Sequence, residues 1–461
     1  MSDQTRRPLT RRHVLQVATG AAAGASLAGP ARVAGDAGPS APPSTAESMM
    51  GVPFARHPKV RAALVGCGGR GQSLLGDLLG IEGVEVGAVC DIVSARVEEA
   101  QDAVKKAGQP RPEGYAKGEQ DYERLLRRGD LDLVYVATPW NWHVRMAVAA
   151  MEAGAHVGVE VPAATTVEDC WRLVDVSERT RRHCVMLENV CYGWSEMLVL
   201  NMVRAGLLGE LTHAECAYVH DLRKLLFADE GEGLWRRYEH WRRDGNLYPT
   251  HGLGPVAQYL GIHRGDRFDY LVSMSSPSRG LQAYRDRTVP AGDPKRMETY
   301  ACGDMNTSLV KTARGRSIVL QHDTVSPRPY DRINLVSGTK GTFRSYPDRL
   351  FLDGHQPHDE WQAIEEDKEK REAGGIEDRF EDPLWKKLAD PASRSGHGGM
   401  DYIMSWRLAQ CMREGLAPDM DVYDAAAWSA PGPLSELSVA RGSAPVSFPD
   451  FTRGRWSDSR G

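Results

Sequence analysis

Three absences narrow the field before any motif is read. The eight cysteines (Cys67, Cys90, Cys170, Cys184, Cys191, Cys216, Cys302 and Cys411) include no C-x-x-C pair, so nothing suggests zinc or a dithiol redox couple, no metal is expected, and the thiols are expected to be buried. Excess positive charge is also lacking. A net charge of −5 and a pI near 6.3 exclude the sequence-wide basic field on which non-specific nucleic-acid binding depends. The third absence is a long apolar run. An Ala/Gly-rich stretch ending near Ala28 is too short and too small-sided to span a bilayer permanently, so no membrane-spanning helix is expected. What remains is ample: 461 residues, 41% of them hydrophobic, suffice for two or three domains with large cores.

The first residues read as an address. Thr10-Arg11-Arg12-His13-Val14-Leu15 ahead of the Ala/Gly-rich stretch resembles a twin-arginine export signal, with small residues between Ala28 and Gly35 suited to cleavage. We assign residues 1–35 to this signal and 36–57, rich in Pro, Ala and Ser at its start, to a linker. The assignment implies export to the periplasm or beyond, with the twin-arginine translocase as a partner. That route carries folded proteins, often with a cofactor already loaded.

From Val60 the pattern changes to short apolar runs alternating with helical periodicity, the signature of parallel βαβ units. The first strand, 60–65, runs into Gly66-Cys67-Gly68-Gly69-Arg70-Gly71, and an amphipathic segment follows. This is G-x-G-x-x-G in the setting it requires, where backbone N–H groups and a helix N-terminus face a pyrophosphate. A second strand ends at Asp91, about twenty residues beyond Gly71. Its carboxylate suits the ribose hydroxyls of NAD and repels the 2′-phosphate of NADP; the alternative for Asp91 is a helix cap. Later strands at 133–137, 156–159 and 184–187 deliver three polar or aromatic clusters to the carboxyl edge of the sheet: Thr138-Pro139-Trp140-Asn141-Trp142-His143, Glu160-Val161-Pro162-Ala163-Ala164 and Glu188-Asn189-Val190-Cys191-Tyr192. Residues 58–190 therefore form an NAD-binding Rossmann domain, a doubly wound parallel sheet.

These motifs together resemble the Gfo/Idh/MocA oxidoreductases, a likeness that implies a second α/β domain, here 191–461, built on an open, mainly antiparallel sheet with C-terminal helices packing back. One position departs from that pattern. The family's simple dehydrogenases carry Glu-Lys-Pro, the lysine assisting hydride transfer, where this chain has Glu160-Val161-Pro162. With Trp140 to His143, Glu188 to Tyr192, Tyr248-Pro249-Thr250-His251-Gly252-Leu253-Gly254-Pro255 and Ser326-Pro327-Arg328-Pro329-Tyr330, the departure resembles glycoside hydrolase family 109, NAD-dependent α-N-acetylgalactosaminidases. The likeness extends from about Arg61 to about Trp428.

The resemblance assigns roles residue by residue. It implies that NAD is held by Gly66, Gly68, Gly69, Arg70, Gly71, Asp91, Trp140, Asn141, Trp142, His143, Glu160, Val161, Asn189 and Tyr248. It implies substrate contacts from Tyr218, Arg236, Tyr248, Pro249, Thr250, His251 and Tyr330. A cycle of oxidation at C3, elimination, water addition and reduction needs a base near C2 and an acid at the glycosidic oxygen, and His251, Tyr330, Tyr192 and Tyr248 are the residue types that serve. Which of them is base and which acid is left open. The expected partner is a carbohydrate ending in N-acetylhexosamine, with a homo-oligomer an open option. The competing reading is an NAD-dependent sugar or inositol oxidoreductase.

Overall fold

The computed structural model describes residues 46–458, so the signal and the first part of the linker lie outside the described residues. Both expected sheets are present. The first has six strands, β1 (Val60–Val65), β2 (Val84–Cys90), β3 (Glu113–Tyr115), β4 (Leu133–Val136), β5 (His156–Val159) and β6 (Cys184–Met186). All its pairings are parallel, and the order is β3-β2-β1-β4-β5-β6. Helices cover both faces, which is why β4, β5 and β6 are buried at every residue and read as unbroken apolar runs. Strand β3 is an addition to the sequence reading; Glu113-Gly114-Tyr115 is a short edge strand with too little apolar pattern to stand out.

The second sheet contains β7 (Leu211–Val219), β8 (Phe268–Ser275), β9 (Asn306–Thr312), β10 (Ser317–Asp323), β11 (Leu335–Gly338), β12 (Gly341–Arg344), β13 (Arg349–Leu352), β14 (Gln362–Ala363) and β15 (Val446–Ser447), in the order β14-β13-β12-β11-β7-β10-β9-β8-β15. It is mainly antiparallel, with β7 and β10 running parallel. One face is open: along β9, Asn306, Ser308, Val310 and Thr312 are buried while the residues between them are not.

Helix Thr250–Tyr259 lies on the covered face of this sheet, against β7. Its glycines set how close it comes. A Cβ on Gly252 would lie 2.7 Å from the backbone N and O of Ala217, and one on Gly254 would lie 3.0 Å from Cys191 Sγ and Glu188 Cγ. The helix therefore touches the second sheet with one glycine and the end of the first sheet with the other.

The last third of the chain returns to the first domain. Helix Met400–Glu414 packs on the glycine-loop helix Gly69–Leu79, and helix Val422–Ser429 packs on helix Val167–Thr180 and β6. A capping box formed by Asp421 and Asp424 starts the second of these, Arg264 grips Asp424 at 3.0 and 2.8 Å, and Trp428 is wholly buried. Before β1, Met49 and Phe54 are buried as well, and the Met49 amide donates to the Tyr423 hydroxyl at 3.0 Å.

Two glycine substitutions separate close approach from simple helix propensity. Gly252→Ala forces the helix off β7 and is expected to lower stability by about 1–3 kcal/mol, seen as a lower urea midpoint. Gly76→Ala, in helix Gly69–Leu79 with open space around the would-be Cβ, is expected to raise it by about 0.5–1 kcal/mol.

Candidate active site

The glycine loop after β1 is built for a dinucleotide. Gly66 sits at φ +95°, where a Cβ would lie 2.4 Å from the Ala137 carbonyl oxygen, and a Cβ on Gly71 would lie 1.8 Å from the Gly66 carbonyl oxygen. The first glycine makes the turn and the third lets helix meet strand. Asp91 closes the cradle: the Cys67 amide donates to its Oδ2 at 2.7 Å and the Val93 amide to its Oδ1 at 2.9 Å. Ile92 and Val93 follow as exposed apolar residues. Arg96 Nη1 stands 2.8 Å from where a Gly68 Cβ would be, with no hydrogen bond or ion pair to the described residues. Backbone N–H groups of Gly68 and Gly69 that make no hydrogen bond among the described residues, an aimed carboxylate, an apolar shelf and an unneutralised guanidinium together fit the phosphates, ribose and base of NAD.

Around the loop runs a network that joins distant parts of the chain. Arg70 donates from Nε to Glu160 Oε1 at 2.6 Å, and from Nη1 and Nη2 to Asp401 at 2.6 and 3.1 Å. Asn189 Nδ2 donates to Asp401 Oδ1 at 2.6 Å, and His397 Nδ1 lies 2.8 Å from Asp401 Oδ2. Burial would push the Asp401 carboxyl up, but His397 and Arg70 hold it well below the usual carboxylate range. Of three expected cofactor residues, Arg70 thus holds Glu160 directly and shares Asp401, from the C-terminal segment, with Asn189.

The remaining expected cofactor residues divide. Trp140 reaches the interdomain cluster, its ring 5.8 Å from Tyr248 and 5.1 Å from Trp235. Val161 is buried beside Glu160. Asn141 is exposed, and Trp142 turns toward Tyr122, at 6.5 Å. His143 is buried with its ring nitrogens 2.8 Å from the Pro162 carbonyl and 2.7 Å from that of Thr138, so it ties two strand-end loops together.

The second domain contributes a tight cluster of rings. Pro249 precedes helix Thr250–Tyr259, so Thr250 and His251 occupy its first turn; Thr250 is buried and its Oγ1 has no partner among the described residues. His251 Nδ1 lies 2.7 Å from Glu188 Oε1, and Nε2 lies 3.5 Å from the Tyr248 hydroxyl. Tyr248 packs on Tyr218 at 4.5 Å, with the guanidinium of Arg236 4.8 Å above its ring. Arg236 is buried, paired with Glu232 at 2.6 Å, and leaves Nη2 without a hydrogen-bond partner among the described residues. Tyr330 stands edge-on to Tyr218 at 6.1 Å and to His220 at 4.9 Å, and its hydroxyl accepts from Arg332 Nη1 at 3.1 Å. Arg332 is in turn held by Glu196 at 2.8 Å.

Burial raises the pKa of Tyr248 well above its ordinary value, pushes Tyr218 up to about 12, and raises Tyr330 against the opposing pull of Arg332. All three are therefore neutral phenols at physiological pH, able to give a hydrogen-bond proton. His251 is of the opposite kind. Its contact with the Glu188 carboxylate places the ring proton on Nδ1 and leaves the Nε2 lone pair facing the tyrosines. Tyr192 is not brought to the cluster by its side chain: its hydroxyl donates to Asp419 at 3.2 Å, beside Arg407, and its burial keeps it protonated there.

Sequence reasoning quoted Glu188 inside a motif without a role, and the sign that it mattered was a carboxylate at the carboxyl end of a buried strand. It missed His220, whose Nδ1 lies 2.9 Å from the Tyr218 hydroxyl, two residues along the same strand end.

Comparison with known proteins agrees with this division. Residues 60–188 match the family model described as "Oxidoreductase family, NAD-binding Rossmann fold", and residues 192–458 match "Glycosyl hydrolase 109, C-terminal domain". The chain is 55% identical over 450 residues to a glycosyl hydrolase family 109 protein of Solibacter usitatus, covering 97% of this chain and 98% of that one. It is 45% identical over 452 residues to an alpha-N-acetylgalactosaminidase of Shewanella oneidensis, covering 98% and 97%. Among solved structures, a levoglucosan dehydrogenase in complex with NADH and L-sorbose shares the fold with a TM-score of 0.66 at 17% identity, over 86% of this chain and all of that one.

The Glu188–His251 contact yields a direct test. Glu188→Gln preserves shape but removes the charge that selects the tautomer, and turnover is expected to fall roughly 10²- to 10⁴-fold. Bound NAD, measured by absorbance after the protein is denatured, is expected to stay stoichiometric.

Proposed function

The chain belongs to glycosyl hydrolase family 109, and from that membership and the geometry of the ring cluster we propose that it removes terminal α-linked N-acetylgalactosamine by an oxidation–elimination–addition–reduction cycle. The observation that carries the proposal is the imidazole of His251, held by the buried Glu188 carboxylate, beside a set of neutral phenols and opposite a dinucleotide cradle. When bound, NAD supplies a reversible hydride acceptor for a sugar carbinol carbon. Gly66, Gly68, Gly69, Asp91 and Arg96 would hold it.

The chain's own part is proton transfer. The C3 hydroxyl proton is given to water as the carbonyl forms and is taken back when the carbonyl is reduced; with a carbonyl at C3 the C2 proton becomes acidic, and His251 Nε2 takes it, the imidazolium formed being stabilised by buried Glu188. Tyr330 donates to the departing glycosidic oxygen, and Arg332 favours the phenolate that develops. Tyr218, Tyr248 and the Arg236 fork orient the ring and its acetamide, since flat aromatic faces and a fixed donor fork suit a polyhydroxyl ligand. Water adds by the reverse of these transfers. This division leaves Tyr192 outside the reaction and sets His251 as base and Tyr330 as acid.

Release of the aryl group from an α-N-acetylgalactosaminide by protein carrying NAD, with no net NADH, is the expected result. Product formed in D₂O is expected to carry deuterium at C2, and His251→Ala is expected to abolish that exchange. Failure to cleave any aryl N-acetylhexosaminide would rule the proposal out, and NADH accumulating in step with an oxidised sugar would replace it with an oxidoreductase.

We infer further that the protein is exported by the twin-arginine route, on the strength of Arg11-Arg12 ahead of the small-residue stretch. Replacing both arginines with lysine is expected to leave the protein in the cytoplasmic fraction of a bacterial host; unchanged fractionation would argue against the route.

A further inference from the structure

His220 has a second surface. On one side it meets the ring cluster, through Tyr218 and Tyr330; on the other it lines an open cavity of about 770 Å³ between the segment after β7 and helix Gly280–Thr288. The His220 imidazole therefore borders both the proposed sugar pocket and this cavity. Burial, then Arg236 and His251, push the pKa of His220 down, so it is a neutral ring, and its Nε2 makes no hydrogen bond within the described residues.

We propose that this cavity is the subsite for the leaving group, and that its occupant is the penultimate sugar of an oligosaccharide. This rests on the glycosidase reading above. The position argues for it: a group departing from a sugar held among Tyr218, Tyr330 and His251 must leave on a side that is open, and the His220 side is open and large enough for a pyranose. The lining chemistry agrees. Phe227 and Tyr284, 5.7 Å apart, give an aromatic wall, while Lys224 and Asp293 bring charges of both signs to the same cavity. A neutral ligand rich in hydroxyls can use donors and acceptors together, whereas an anionic or cationic ligand meets attraction and repulsion at once.

The test fills the cavity from its exposed rim. Thr288→Trp and Lys224→Trp, both at solvent-exposed positions, place an indole in the cavity without disturbing the core. Wild type and variants are compared by kcat/KM on an aryl α-N-acetylgalactosaminide and on a trisaccharide with the same terminal sugar. Each variant is expected to lower the trisaccharide-to-aryl ratio at least about tenfold. An unchanged ratio in both variants overturns the subsite. Saturation-transfer NMR with lactose reports on the cavity apart from catalysis: signal lost in both variants supports the subsite, and signal absent in wild type or equal in all three overturns it. If wild type cleaves neither substrate, the reaction assignment fails and the lactose signal alone decides the cavity.

Discussion

The contact that the molecule is arranged around is the one between Glu188 and His251, 2.7 Å apart. Glu188 follows the last strand of the first sheet and is wholly buried; His251 begins the helix that covers the second sheet. A buried carboxylate is costly unless paired and hydrogen-bonded, so this pair constrains both domains. Gly254 admits the Glu188 side chain beside the helix, Gly252 lets the same helix sit on Ala217, and the Val190 amide donates to Glu188 at 3.2 Å. The motif 248–255 is thus two devices in one stretch: a ring cluster at its start, and a pair of glycines that bring the ring cluster to the carboxylate.

A second buried network does for the dinucleotide loop what Glu188 does for the imidazole. Arg70 would be desolvated at its place in the glycine loop, and it is held there by Glu160 from the first domain and Asp401 from the C-terminal segment. The left-handed residues Gly398 and Gly399, at φ +67° and +99°, turn the chain so that Asp401 can also receive Asn189 and His397. Removing one member strands the charge of the others, so the tail of the chain is part of the loop's support.

Much of this was readable from sequence, for reasons that differ by level. The first sheet was legible because parallel strands buried on both faces leave unbroken apolar runs, and the glycine loop because its turn and close contacts admit little else. The resemblance located Tyr218, Arg236 and Tyr330, which the structure gathers in one cluster. What stayed hidden depends on pairing between residues far apart in the chain. Asp401 with Arg70, 331 residues apart, and Glu188 with His251, 63 apart, carry no local pattern that announces their partners. Tyr192 shows the converse: its place in an ordered motif suggested chemistry, but its hydroxyl is engaged by Asp419. His143, in a motif of the same kind, serves the loops rather than opening to a ligand.

The exchange of lysine for Val161 gains its meaning from this arrangement. A lysine at position 161, beside Glu160, would set a proton-transfer group on the dinucleotide side of the pocket. Here that position is a buried valine, and the titratable groups stand on the opposite wall, carried by the second domain. Oxidation alone needs one proton acceptor near the carbinol. The proposed cycle adds to this the protons moved at C2 and at the leaving oxygen, so one lysine cannot serve every place. An imidazole fixed by a carboxylate and a phenol fixed by a guanidinium, held apart by Tyr218, provide the two different acidities that such a cycle requires.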